Sequence, residues 1–95
     1  MSDAIYSVQV RIDGRVQGVG YRAWLAATAE RYGLVGWCRN RRDGSVEALL
    51  AGPRADVEAV IEHCRSGPAL ARVTSLEVAE ATAPEAPGFQ VLATV

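Results

Sequence analysis

Hydrophobic and polar positions alternate without a break from Tyr6 to Asp13. Tyr6, Val8, Val10 and Ile12 form one face; Ser7, Gln9, Arg11 and Asp13 form the other. A period of two predicts a strand covered on one face only. From Tyr21 the period changes. Tyr21, Trp24, Leu25, Thr28, Ala29 and Tyr32 recur at helical spacing, which predicts a helix over Tyr21–Tyr32 stopped by Gly33. Leu34–Arg39 reads as strand, Asp43-Gly44 marks a turn, and Ser45–Leu50 returns with Val46, Ala48 and Leu50 on one face. This pattern predicts a hairpin. Gly52-Pro53 breaks it. A second helix is expected over Arg54–Arg65, with Val57, Val60, Ile61 and Cys64 on one stripe, and Ser66-Gly67-Pro68 ends it. Arg72–Ala79 reads as a fourth strand whose period slips between Val73 and Leu76, the signature of a bulge. After the turn region Pro84–Gly88, Phe89, Val91 and Ala93 alternate in a short last strand.

The order β-α-β-β-α-β plus a short C-terminal strand is the ferredoxin-like plan. This α+β fold is an α/β sandwich: an antiparallel sheet carries two helices on one face and leaves the other to solvent. Residues 1–95 read as a single domain without linker or low-complexity segment. Trp24 and Trp37 stand at core periodicity, so both are expected in the core, and the open sheet face is expected to carry no aromatics. His63, on the second helix, reads as a surface or rim residue.

Composition removes several function classes. Eleven acidic residues oppose ten basic ones, all arginine, for a net charge of −1. That balance argues against a nucleic-acid surface built on bulk positive charge. An RNA-binding sheet would also need stacking aromatics on its open face. No apolar run approaches a bilayer span. Met1-Ser2-Asp3-Ala4 lacks a basic-then-apolar leader pattern, so a cytoplasmic protein is expected. Cys38 and Cys64 belong to no CxxC or Cys/His cluster, so no metal site is expected. Two free thiols in a reducing compartment fit this spacing; the sequence alone leaves a disulfide open.

Chemistry concentrates in Gly14-Arg15-Val16-Gln17-Gly18-Val19-Gly20-Tyr21-Arg22, between the first strand and the first helix. Three glycines in seven residues allow positive φ and close approach of a ligand to backbone. The loop feeds a helix start, where free N–H groups and the dipole favour an anion. Arg22 falls in the first helical turn, where the dipole disfavours a cation. A bound phosphate would compensate, because a guanidinium matches phosphate through paired donors. The P-loop pattern fails, since the chain has no lysine. Gly18-Val19-Gly20-Tyr21-Arg22-Ala23 satisfies the dinucleotide spacing, but Arg39, Asn40, Arg41 and Arg42 stand where the ribose-binding acid belongs. The residues leave two readings: a phosphate-cradling loop with an arginine clamp, or a turn that only reverses the chain.

The same residues carry a resemblance. Gly14 through Arg22 resembles the signature loop of the acylphosphatase family. Gly33-Leu34-Val35-Gly36-Trp37-Cys38-Arg39-Asn40, with Asp43-Gly44-Ser45-Val46-Glu47, is similar to its second signature. Gly67-Pro68 before Ala71-Arg72-Val73, and the late Phe89, fall where that family places such residues. The resemblance spans essentially the whole chain. Cys38 departs from it, standing where the family usually has valine or another β-former, which puts nothing catalytic in doubt. The resemblance implies the ferredoxin-like fold and metal-independent hydrolysis of acyl phosphates to a carboxylate and inorganic phosphate, without a cofactor. It also implies Arg22 and Asn40 as the catalytic pair.

The chemistry of these side chains agrees. Phosphoryl transfer passes through a loose transition state, so catalysis is mostly positioning and electrostatics. Backbone N–H groups of Arg15, Val16, Gln17, Gly18, Val19 and Gly20 would cradle the phosphoryl oxygens, and Arg22 would neutralise their charge. The Asn40 amide can orient a water but cannot act as a general base. A carboxylate leaving group, with pKa about 4, hardly needs an acid. The substrate's own phosphate oxygens are then left to accept the proton. Trp37, in the strand that ends at Asn40, would also stiffen the site. Arg39, Arg41 and Arg42 read either as attractors of anionic substrate or as a solvated hairpin tip. A non-catalytic phosphometabolite-binding module of the same fold is the alternative. Acyl phosphates and inorganic phosphate are the expected partners, with no nucleic acid, no membrane and a monomeric state.

Overall fold

The alternation at the start of the chain becomes β1 (Tyr6–Arg15), followed by α1 (Tyr21–Arg31), β2 (Val35–Asn40), β3 (Val46–Gly52), α2 (Arg54–Cys64), β4 (Arg72–Glu80) and β5 (Phe89–Val91). These elements come from a computed structural model that describes residues 5–95. The leader expectation rests on Met1–Ala4, outside the described residues.

The strands form one sheet in the order β4-β1-β3-β2-β5. Val8, Val10 and Ile12 of β1, Cys38 of β2, and Val46, Ala48 and Leu50 of β3 are all fully buried on the helix-covered face. Leu25 and Ala29 of α1, and Val57, Val60 and Cys64 of α2, fill the other side of that core. The α1 N-terminus has neither a side-chain cap nor an acid in its first turn. A cap would contribute about 1 kcal/mol; full burial of a residue such as Leu25 contributes about 1.5–3 kcal/mol. Packing therefore holds α1 in place. At its other end, Gly33 N–H donates to the Glu30 carbonyl and Leu34 N–H to the Ala29 carbonyl, which closes the helix at Tyr32. The bulge expected in β4 is present: Asp13 pairs with Ser75 and Gly14 with Val73, leaving Thr74 as the extra residue.

Two expectations need correction. The sheet is mixed rather than antiparallel, because β5 pairs parallel with β2. β4 and β5 are the two edge strands; β5 runs against β4 and therefore along β2. Trp37 is not a core residue. It pairs with Leu49 and Gln90 on the open face, half-buried, and the Arg39 guanidinium lies 4.6 Å from its ring centre. The open face therefore does carry an aromatic. Trp24 does pack against the core, its ring 5.3 Å from that of Tyr21.

The central strand β3 is buried on both faces, not one. Its open-face residue Glu47 is covered by neighbours: it accepts hydrogen bonds from Arg39 Nε at 2.8 Å, from Arg41 Nη1 at 2.9 Å, and from Gln9 Nε2. Burial pushes the Glu47 carboxyl up, but the two guanidiniums outweigh that and hold it below the usual carboxylate range. Both cysteines are free and buried. His63 is exposed and its Nε2 lies 3.1 Å from the Tyr32 hydroxyl.

Candidate active site

β1 and β2 run in the same direction with β3 between them, so the end of β1, the start of α1 and the end of β2 meet at one end of the sheet. There a cavity of about 270 Å³ is lined by Val16, Gln17, Gly18, Gly20, Arg22 and Asn40. Strand parity decides which way Asn40 faces. It shares its face with Cys38, on the helix-covered side, and so looks toward the first turn of α1. Cys38 itself lies under that turn, its thiol 3.7 Å from the Arg22 carbonyl.

The loop's backbone depends on glycine. Gly18 and Gly20 have φ of 75° and 80°. A Cβ at either would meet nothing within 4 Å, so backbone conformation, not space, is what favours glycine there. Gly20 is the N-cap of α1, and its carbonyl accepts from Trp24 N–H. Among the described residues, no amide of residues 16–20 donates a hydrogen bond to protein. These free N–H groups lie at and before the N-terminus of α1, where the helix dipole favours negative charge.

The arginines divide by place. Arg11, Arg39, Arg41, Arg54 and Arg65 pair with carboxylates. Among the described residues, Arg15, Arg22, Arg31, Arg42 and Arg72 pair with none. Four of these five stand at the cavity end: Arg22 in α1, Arg42 in the hairpin turn, and Arg15 beside Arg72 where β1 pairs with β4. A chain with a net charge of −1 therefore carries several arginines without carboxylate partners at one end of its sheet, and one of them, Arg22, lines the cavity.

Asn40 supplies the complementary feature. Its Oδ1 is buried and has no hydrogen-bond partner among the described residues. A buried carbonyl oxygen without a partner is costly and rare, and here it belongs to a residue lining the cavity. The Asn40 backbone carbonyl accepts from Val95 N–H at 3.1 Å, and Arg42 N–H donates to Val95 at 2.7 Å, so the chain beyond β5 braces the hairpin. Arg39 and Arg41 do not serve as free attractors of anions, since Glu47 holds both.

Not every residue expected at the site reaches it. Arg15 ends β1, exposed, and Val19 packs half-buried against the core; neither lines the cavity. Tyr21, Ala23 and Val91 line it as well, although the sequence does not single them out as site residues. Tyr21 and Ala23 flank Arg22 and could have been found from that adjacency. Val91 is brought in only by the pairing of β5 with β2. Among the described residues, no three His, Cys, Asp or Glu side chains group as metal ligands, and no helix is long and apolar enough to cross a membrane.

Comparison with known proteins follows the same outline. The model of the acylphosphatase family matches residues 8–91. An acylphosphatase of Rhodospirillum rubrum is 58% identical over 80 residues, covering 84% of this chain and 88% of the relative. The solved structure of an acylphosphatase from Coxiella burnetii superposes with a TM-score of 0.89 at 30% identity, covering 93% of each chain. That of an acylphosphatase from Bacillus subtilis superposes with a TM-score of 0.87 at 33% identity, covering 94% of this chain and 99% of the other.

Proposed function

The chain belongs to the acylphosphatase family, and from that premise we propose that it hydrolyses acyl phosphates to a carboxylate and inorganic phosphate without a metal. The observation that carries the mechanism is the convergence on one cavity of three features. These are a set of unpaired loop amides, a guanidinium with no carboxylate partner, and a buried amide oxygen with no hydrogen bond.

Each does one thing. The amides of residues 16–18 and 20 hold the phosphoryl oxygens, and Arg22 neutralises the charge that spreads over them as the bond to the leaving group lengthens. Asn40 Oδ1 accepts a hydrogen bond from the attacking water and so orients it in line with phosphorus. The carboxylate leaves without an acid, its pKa being about 4. A phosphoryl oxygen takes the proton of the water. The cavity grips the phosphoryl end and is open beyond it, so several acyl groups fit. Two buried free thiols support a reducing, cytoplasmic setting.

Hydrolysis of benzoyl phosphate in EDTA tests this reading. Turnover that survives the chelator is expected. Turnover abolished by EDTA would overturn the metal-free mechanism. Binding of phosphate without any turnover would favour a phosphometabolite-binding module instead.

A further inference from the structure

Gln17 was expected to offer only its backbone amide to phosphate. Its side chain does something else. Nε2 donates to the Arg41 carbonyl at 2.7 Å and to the Ser45 carbonyl at 2.9 Å. Those two carbonyls face each other at the neck of the hairpin, where Arg41 N–H donates to Ser45 and Gly44 N–H donates back to Arg41. A primary amide has two N–H donors, and both are spent on this neck, one residue beyond Asn40.

We infer that Gln17 is a positioning residue: it fixes the distance between the phosphate-holding loop and the water-orienting Asn40. This rests on the reading proposed above. The loop and the hairpin lie 24 residues apart in sequence, counted from Gln17 to Arg41. The hairpin's other ties reach the sheet rather than the loop: Arg11 of β1 lies 2.9 Å from Asp43, and Ile12 of β1 pairs with Val46. Glu47 binds Arg39 and Arg41 on the open face, and Val95 binds Asn40 and Arg42 from the β5 side. Of all these ties, only the Gln17 hydrogen bonds contact residues 16–20 themselves. Gln17 is both a lining residue of the cavity and a bridge across it.

The consequence is a split between binding and turnover. Loop amides and Arg22 hold phosphate whether or not the hairpin is tied. In-line attack needs water and phosphorus aligned at near-contact distance, and misplacement by an ångström costs about 100-fold. Gln17 should therefore act on kcat and leave phosphate affinity alone.

The test uses Gln17→Met, which keeps length and volume but donates no hydrogen bond, alongside Gln17→Ala. Benzoyl phosphate turnover, competitive inhibition by inorganic phosphate and amide exchange at Arg41 and Gly44 are measured for each. The expected result is a fall in kcat of about 10- to 100-fold, a phosphate inhibition constant within about threefold of wild type, and faster exchange of the two hairpin amides. Unchanged kcat in Gln17→Met would overturn the inference. So would phosphate affinity that falls in step with kcat, which would make Gln17 part of the anion cradle alone. If Gln17→Ala does not fold, the Met variant carries the measurement. Should wild type itself prove inactive, the reading of the activity fails, and unchanged hairpin exchange in Gln17→Met would separately refute the tether.

Discussion

The Tyr21 hydroxyl donates a 2.5 Å hydrogen bond to the Cys64 carbonyl. This joins the first residue of α1 to the last residue of α2, 43 positions away. Tyr21 is almost fully buried, and burial raises its hydroxyl well above the usual tyrosine range, so it stays a donor. The bond satisfies one of the last carbonyls of α2, which lacks an intrahelical partner. It also anchors the turn that carries Arg22.

Tyr21→Phe is expected to destabilise the fold by about 1–2 kcal/mol, the cost of leaving a buried carbonyl unmet. In a domain this small, that lowers Tm by roughly 4–8 °C per kcal/mol. Gly67→Ala should cost more. Its φ is 68°, and a Cβ there would stand 2.5 Å from the Tyr21 ring. Thermal unfolding of both variants checks the order; equal stability of Tyr21→Phe and wild type would refute the anchor.

Arg22 and Asn40 should separate in both activity and stability. Arg22→Ala is expected to lower kcat/KM by about 1,000-fold or more, with loss of phosphate inhibition. Asn40→Ala is expected to lower kcat by about 100- to 1,000-fold while phosphate still inhibits. Because Asn40 Oδ1 is buried and unpartnered, its removal should leave stability unchanged or raise it by up to about 1 kcal/mol. Near-normal turnover of Asn40→Ala, measured beside its urea unfolding curve, would remove Asn40 from the mechanism.

Acid stability of the hairpin rests on Asp43. The Ser45 hydroxyl and backbone N–H, at 2.6 and 2.9 Å, bind its carboxylate, and Arg11 adds a further contact at 2.9 Å. Together they hold its pKa down to about 2. A depressed folded pKa means that the contribution is complete above the ordinary aspartate value of about 4. It is lost as pH falls toward the folded value. Asp43→Asn should therefore flatten the stability-versus-pH curve between about pH 4 and 2. A slope in that window identical to that of wild type would assign it to other carboxylates.

Both thiols should be inert in the folded protein. Burial pushes Cys38 up to about 11 and Cys64 up to about 12, so almost no thiolate exists at neutral pH. Alkylation by iodoacetamide at pH 7.5 is expected only after denaturation. Rapid native labelling of either cysteine would show that the core beneath Arg22 opens readily.

The elements were legible because spacing alone reports them. Tyr6 to Asp13 alternates strictly, and the stripe Val57, Val60, Ile61 and Cys64 is the buried face of α2. The slip between Val73 and Leu76 marks the bulge at Thr74. Trp37 was misread because both faces of β2 carry apolar residues, so a period of two cannot say which face the helices cover. β5 was found as a strand, but its direction depends on which edge it joins, and nothing local to Phe89–Val91 encodes that edge.

By itself the sequence determined the succession of elements, the glycine loop with its arginine, and the anion chemistry those residues can run. These follow from backbone preference and side-chain type over a few neighbouring positions. Only the tertiary structure decided that Asn40 faces the first turn of α1, that four unpaired arginines share one end of the sheet, and that Gln17 ties the loop to the hairpin. Those relations rest on strand order and parity, set through long-range pairing that local spacing does not report.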